Sequence, residues 1–207
     1  MTHNAGYVVC GSGGQAKVVI ATIEAMGGHV IRVLDDDQAR HGADVLGHRV
    51  EGPITDELIP ARALVVVGIG TNRVREAVVH RLTCAFGTVV HPSAIVHPSV
   101  TVGEGSVIFA GAILQPGASV GRHVIVNTAA SVDHDCILDD FVHVAPGVHV
   151  AGGVHLEVGA FLCTGCCVIP MRRVGSWATV GAGGVVLRDV PADETAVGVP
   201  ARPRPRM

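Results

Sequence analysis

The sequence predicts a small N-terminal α/β domain with a parallel sheet, residues 1–86, followed by a three-sided parallel β-helix with a C-terminal tail, residues 87–207. Three observations carry that expectation. Apolar strands alternate with helical segments over the first third of the chain. An unbroken six-residue aliphatic ladder runs through the rest. Glycine supplies 27 of 207 residues and aromatics only 3%, the composition of a narrow interior lined by small aliphatic side chains.

In chain order, a strand over Tyr7 to Cys10 runs into Gly11-Ser12-Gly13-Gly14-Gln15-Ala16, and a helix follows from about Ala16 to Met26. A second strand, Val30 to Leu34, ends at Asp35-Asp36-Asp37. A third, Ala63 to Ile69, meets Gly70-Thr71-Asn72, where Thr71 can cap a helix carrying Val74, Val78 and Leu82. Alternating strand and helix imply a parallel sheet. The glycine turn nominally matches a dinucleotide fingerprint, with acidic residues about 20 positions on. However, about 85 residues hold only half of a dinucleotide fold. A half-fold of this kind still aims backbone N–H groups and a helix N-terminus at a phosphate. The turn also reads as a tight bend with no ligand.

From Val90 to Val186 every sixth residue, 17 in all, is Val, Ile or Leu, against 15 of the other 85 residues between Val90 and Pro191. Four residues after each ladder position sits a mostly small residue, such as Ala112, Ala130, Cys136 or Cys166, with Arg172 the clear departure. One large and one small inward residue per hexad fit a short strand plus a prism corner. Three hexads close a coil, and coils stack at the ~4.8 Å strand spacing, giving between five and six coils and about 27 Å of prism. Pro98, Gly105, Pro116, Gly117, Pro146 and Gly147 fall at corners.

The formal net charge is -3 and Lys17 is the only lysine, so no broad basic face exists for nucleic acid or an anionic membrane. The run of Arg202, Arg204 and Arg206 among prolines reads as a solvated, poorly ordered end. No signal-peptide pattern opens the chain, and no apolar run approaches the ~20 residues of a membrane span, which predicts a cytoplasmic protein. The six cysteines then read as reduced thiols.

Within the ladder, Asn127-Thr128-Ala129-Ala130-Ser131-Val132-Asp133-His134-Asp135-Cys136 places His134 and Asp135 on a corner, between two inward residues. Neutral imidazole can accept a proton near pH 7, and a carboxylate beside it can hold the tautomer. Spacing alone also admits a solvated surface histidine. His143, His149 and His155 resemble a metal tract, but a step of six moves to the next face of the prism, so within one chain the three diverge. Cys163, Cys166 and Cys167 give half a zinc signature; Cys166 and Cys136 occupy inward positions, where packing accounts for them.

The ladder resembles the hexapeptide-repeat family, whose prisms coil left-handed, against the usual right-handed crossover. The order of the parts resembles one branch of it: bacterial acetyltransferases acting on nucleotide-linked amino sugars, of bacillosamine, perosamine and sialic-acid O-acetyltransferase-like type. That resemblance implies a left-handed β-helix, a homotrimer with active sites between prisms, and acetyl-CoA as co-substrate without a metal. It implies His134 as general base with Asp135 beside it. Gly13, Gly14, Gln15, Asp35, Asp36 and Gly70 would hold the nucleotide-linked sugar, with Gln15 standing where the bacillosamine-type pattern has histidine. His143, Thr164 and Ala182 would contact acetyl-CoA, with Gly198 to Ala201 nearby. The implied reaction is acetyl transfer to the sugar's amino group. The alternatives are sugar O-acetylation and a non-catalytic binding protein. A zinc enzyme of the γ-carbonic-anhydrase type shares the prism but needs a histidine pair five residues apart, which none of the twelve histidines provides.

Overall fold

The computed structural model describes residues 6–204. Its N-terminal part is a three-stranded parallel sheet of β1 (Gly6–Cys10), β2 (His29–Leu34) and β5 (Leu64–Val67), in the order β2-β1-β5. Between β2 and β5 lies a small antiparallel pair, β3 (Asp44–Val45) and β4 (His48–Arg49). Helix α1 (Gly14–Ala25) connects β1 to β2, and α2 (Asn72–His80) follows β5. α1 starts two residues earlier than the glycine turn suggested, with Gly13 as its N-cap, so Gln15 sits in its first turn. Thr71 does occupy the N-cap of α2, but its side chain makes no capping hydrogen bond, and Leu82 falls just beyond the helix.

Seventeen two-residue strands follow, from β6 (Val89–Val90) to β22 (Val185–Val186), and the second residue of each is a ladder residue. Parallel pairing joins residues eighteen apart, as in Ile113 with Ser131 and Ser131 with His149. Three flat faces result. The first carries His143, Phe161 and Thr179, the second Ser131, His149 and Cys167, and the third Ser119, Ile137 and His155. His143, His149 and His155 accordingly point away from three different faces. Ladder residues from Ile108 upward are buried, and Val90, Val96 and Val102 are half-buried at the open first coil. Arg172 escapes its inward position: it turns outward, where Nε donates to the Pro170 carbonyl and the guanidinium approaches Asp189.

Every sixth residue from 105 to 183 has a left-handed backbone, which is how each corner turns. Glycine takes this conformation without a steric cost. Here His123, Ala129, Asp135, Phe141, Met171 and Trp177 also adopt it.

The two parts share a core. α1, Tyr7 and Val9 pack on Val89, Val107, Phe109 and Ile125, the outward residues of the first face. That is why α1 is apolar on more than one side. The chain end departs from the expectation of a disordered tail: β24 (Arg202–Pro203) pairs antiparallel with β23 (Thr195–Val197), and Arg204 N–H donates to Thr195. β23 extends the first face, and its exposed edge supplies backbone partners that the composition of the tail does not reveal. Arg206 lies outside the described residues. No helix among the described residues is long and apolar enough to cross a membrane.

Candidate active site

The parallel order β2-β1-β5 brings three loops together at the C-terminal ends of the strands, where α/β sheets bind ligands. Gly13 and Gly14 face open space, with nothing within 4 Å of where a Cβ would stand. Asp35 closes one side: its Oδ2 accepts from Ser12 N–H at 2.7 Å and Ser12 Oγ at 2.5 Å. Partial burial pushes the Asp35 pKa up, but the hydrogen bonds from Ser12 and Asp37 outweigh it and hold the carboxyl below its ordinary value. Asp36 turns the other way, accepting from Ile54 N–H at 3.0 Å and pairing with Arg81. Gln15 reaches toward Gly70, and its buried Nε2 has no hydrogen-bond partner.

Gly70 links this cleft to the prism. Its carbonyl accepts from His143 Nδ1 at 3.1 Å and from Arg75 at 3.3 Å. Since Nδ1 donates, Nε2 of His143 is left as an acceptor, 3.4 Å from Asn127 Nδ2. Burial, and next the charge of Arg75, lower the His143 pKa to about 4, so the ring is neutral at physiological pH. A cavity of about 590 Å³ opens beside it, lined by Gly70, Arg73, His143, Phe161, Trp177 and Asp193. Arg73 stacks on Trp177, 3.5 Å from the ring centre.

Arg75 was not foreseen. It is 1% exposed, and all five of its N–H groups donate: to the carbonyls of His123, Ile69, Gly70 and Phe141 and to Asn72 Oδ1. Burial lowers its pKa to about 9. A signal for it did exist. Asn72, Arg75, Val78, Val79 and Leu82 follow helical spacing on one stripe, so the arginine lies on the helix face that docks against the prism.

His134 and Asp135 occupy the corner between the second and third faces, opposite the face that the N-terminal domain covers. Nδ1 of His134 donates to Asp135 Oδ2 at 2.9 Å, and its backbone N–H donates to Asp133 Oδ1 at 2.7 Å. The hydrogen bond to Asp135, then the charge of Asp133, raise the imidazole pKa above its ordinary 6.5. With Nδ1 protonated, Nε2 carries the free lone pair. The His134 side chain is 61% exposed, and Asp133 borders a groove of about 440 Å³ with Ser131, His149, Cys167, Ile169 and Pro170.

Thr164 and Ala182 are exposed on successive coils of a different corner, between the first and second faces, where Gly183 N–H donates to Thr164 O at 3.0 Å. Gly198 and Ala201 bond to the backbone of Val185 close by. One chain therefore gathers Gly13, Gly14, Gln15, Asp35, Gly70 and His143 around a cleft, sets Thr164 and Ala182 apart, and holds His134 with Asp135 on the far edge. Cys136 and Cys166 are buried inside the prism, and burial pushes their thiol pKa values up, to about 12 for Cys166. Among the described residues, no group of three or more His, Cys, Asp or Glu could hold a metal ion.

A parallel β-prism with a small α/β domain docked on one face and a corner imidazole–carboxylate pair is the architecture of a β-helix acyltransferase. Comparison with known proteins agrees. Residues 7–82 match the family described as the PglD N-terminal domain. The acetyltransferase domain of PglB from Neisseria gonorrhoeae is 37% identical with a TM-score of 0.90, the match covering 97% of this chain and 100% of that one. A histidine variant of perosamine N-acetyltransferase from Caulobacter crescentus, in complex with CoA and GDP-perosamine, is 37% identical with a TM-score of 0.89, covering 98% of both chains. WeeI from Acinetobacter baumannii is 27% identical with a TM-score of 0.88, covering 97% of this chain and 100% of that one. The chain belongs to the hexapeptide-repeat sugar N-acetyltransferase family, whose members are acetyl-CoA-dependent acyltransferases with a left-handed β-helix.

Proposed function

We propose that this protein transfers the acetyl group of acetyl-CoA to the amino group of a nucleotide-linked amino sugar, with His134 as general base. The observation that carries the assignment is the His134–Asp135 hydrogen bond. It orients the ring and fixes the proton on Nδ1, leaving an exposed Nε2 to receive the proton that the attacking amine must lose. The amine forms the new C–N bond at the thioester carbonyl, its proton passes to Nε2, and CoA leaves as the thiolate and is then protonated. No covalent enzyme intermediate is needed, and no metal.

The cleft of Gly13, Gly14, Gln15, Asp35 and Gly70 takes the nucleotide, with the first turn of α1 facing the phosphates, while Asp36 holds the loop behind it through Ile54 and Arg81. His143, Thr164 and Ala182 contact acetyl-CoA. Within one chain His134 stands on the edge opposite this cleft, so the reading requires a second copy. We place the active sites of a cytoplasmic homotrimer at its seams, where the corner of one prism meets the first face of the next. In the perosamine enzyme's complex the bound pair is CoA and GDP-perosamine, and ligands of that chemical kind suit the cleft and the groove here.

The test is CoA release against a panel of UDP-, GDP- and TDP-linked amino sugars. One of them should be acetylated on nitrogen. Release with a free sugar and none with the panel would refute the nucleotide cleft. His134→Ala should lower kcat by about 10²- to 10⁴-fold while both substrates still bind. Asp135→Asn, which tolerates the left-handed backbone, should lower kcat and move the acid limb of the rate profile down toward 6.5, because it removes the hydrogen bond that raises the His134 pKa. A sedimentation mass of one chain, or full turnover in His134→Ala, would overturn the assignment.

A further inference from the structure

Every sixth residue from Pro92 to Ala182 occupies the same corner position, two after a ladder residue. Besides Gly152 it is filled by Glu104, Arg122, Thr128, His134, Asp140, Val158, Thr164, Ser176, two alanines and five prolines, so the backbone there makes no demand for glycine. Gly152 is the only glycine in the series, and it stands eighteen residues after His134, one coil above it. A Cβ built on Gly152 would lie 2.5 Å from His134 Nε2 and 2.6 Å from Cε1, far inside van der Waals contact. The imidazole therefore rests against the bare backbone of the next coil, with Nε2 the atom nearest the missing side chain. Gly153 N–H bonds to the carbonyl of His134 at 2.9 Å, so the two coils cannot draw apart locally to make room. On the other side, a Cβ on Gly117 would meet Asp135 Oδ1 at 2.5 Å.

We infer that Gly152 is a positioning residue for the acetyl-transfer reaction: its lack of a side chain leaves the space in which His134 can keep its hydrogen bond to Asp135 and still present Nε2 to the substrate. A methyl group at position 152 either pushes the ring off Asp135 or covers Nε2, and both outcomes remove the base. Gly117 bears on the carboxylate in the same way, but its left-handed backbone (φ +76) mixes conformational strain into any substitution. Gly152 has no such complication and is the cleaner probe.

The inference rests on His134 being the base, so the experiment separates the two. Gly152→Ala, His134→Ala and the double variant are compared for kcat, KM, pH profile and thermal melting. Gly152→Ala should lose at least tenfold in kcat with KM for both substrates within about twofold of the parent, and the acid limb of its profile should move downward as the ring leaves Asp135. In the His134→Ala background the same substitution should change neither the residual rate nor the melting temperature, because the group it collides with is gone. Should Gly152→Ala alone fail to fold, restored folding in the double variant supports the same clash. An unaltered kcat in Gly152→Ala, or equal losses in both backgrounds, overturns the role of Gly152 and leaves the base assignment standing. Full activity in His134→Ala overturns the base assignment itself.

Discussion

The prism and the N-terminal domain are held together in opposite ways. In the prism each side chain's environment follows from its position in the six-residue repeat. Large aliphatic residues fill the axis, small residues close the corners, and parallel backbone bonds repeat every eighteen residues, so no single contact dominates. The N-terminal domain has only three parallel strands, and it is tied to the prism by a shared apolar face, by one buried guanidinium and by the hydrogen bonds of His143 to Gly70 and of Asn72 to Gly159 and Ala160. In the repeating part, unusual residues stand out against the period: His134 and Asp135 on a corner, the lone glycine above them, Phe141 and Trp177 where glycine would be expected. In the other part there is no period to depart from, and function has to be read from turn chemistry.

The strongest way to test this contrast is to remove Arg75. Arg75→Met keeps much of the volume but leaves the carbonyls of His123, Phe141 and Ile69 and the Asn72 Oδ1 without their donor, while Gly70 keeps only His143. Each buried acceptor left unpaired costs roughly 1–3 kcal/mol, so a loss of about 4 kcal/mol or more is expected in chemical denaturation. The first unfolding transition should belong to the N-terminal domain, with the prism melting later. A conservative Arg75→Lys should also fail, since one ammonium cannot reach five acceptors in a plane. A shift below about 1 kcal/mol would mean that the apolar face and the hydrogen bonds of His143 and Asn72 join the two parts without Arg75.

Legibility from sequence follows the same division. The ladder gave all seventeen strands, because a strict period leaves only one placement for each residue. The three parallel strands of the first domain are legible, but the short antiparallel pair β3 and β4 is not, and α1 starts earlier than expected, since Gly14 and Gln15 read as turn residues and are helical. The pairing of His134 with Asp135 is implied by the resemblance and not by adjacency, since neighbouring side chains need not reach each other; the structure joins them at 2.9 Å. The union of His143 with Gly70 could not be expected, because those residues are 73 positions apart and meet only when α2 docks. The tail was misread because composition shows charge and proline but not the unpaired edge of β23 that receives it.

Acidification tests the junction less severely. His123 is buried against Phe86 and Phe141, with no hydrogen-bond partner for either ring nitrogen. Burial, then the charges of Arg122 and Arg75, lower its pKa to about 4, and burial does the same to His143. An unfolded chain protonates its histidines near pH 6.5, so below that pH unfolding takes up protons that the folded form refuses. Stability is therefore full above about 6.5 and drains as pH falls toward 4. Two such groups set a limiting slope of roughly 2.7 kcal/mol per pH unit, and about 2 kcal/mol should be gone by pH 5.5. His123→Phe should remove about half of that slope in urea titrations. An unchanged slope would place the acid sensitivity elsewhere.

The smallest effect probes the regularity of the prism itself. Ala129 holds a left-handed backbone (φ 55) at an exposed corner, in a column whose other members, Gly111, Gly147, Gly165 and Gly183, are all glycine. A non-glycine residue in that conformation costs about 1 kcal/mol or more, and the greater freedom of glycine in the unfolded chain returns part of it. Ala129→Gly should therefore raise stability by roughly 0.5 kcal/mol, read as a higher denaturation midpoint with an unchanged slope. If the substitution lowers stability instead, the methyl group of Ala129 is making a contact beyond this single chain. The most economical site for that contact is the seam of the proposed trimer, because Ala129 shares its corner with Thr164 and Ala182. Repeating the melt at several protein concentrations would distinguish the two, since only a contact between chains makes the midpoint rise with concentration.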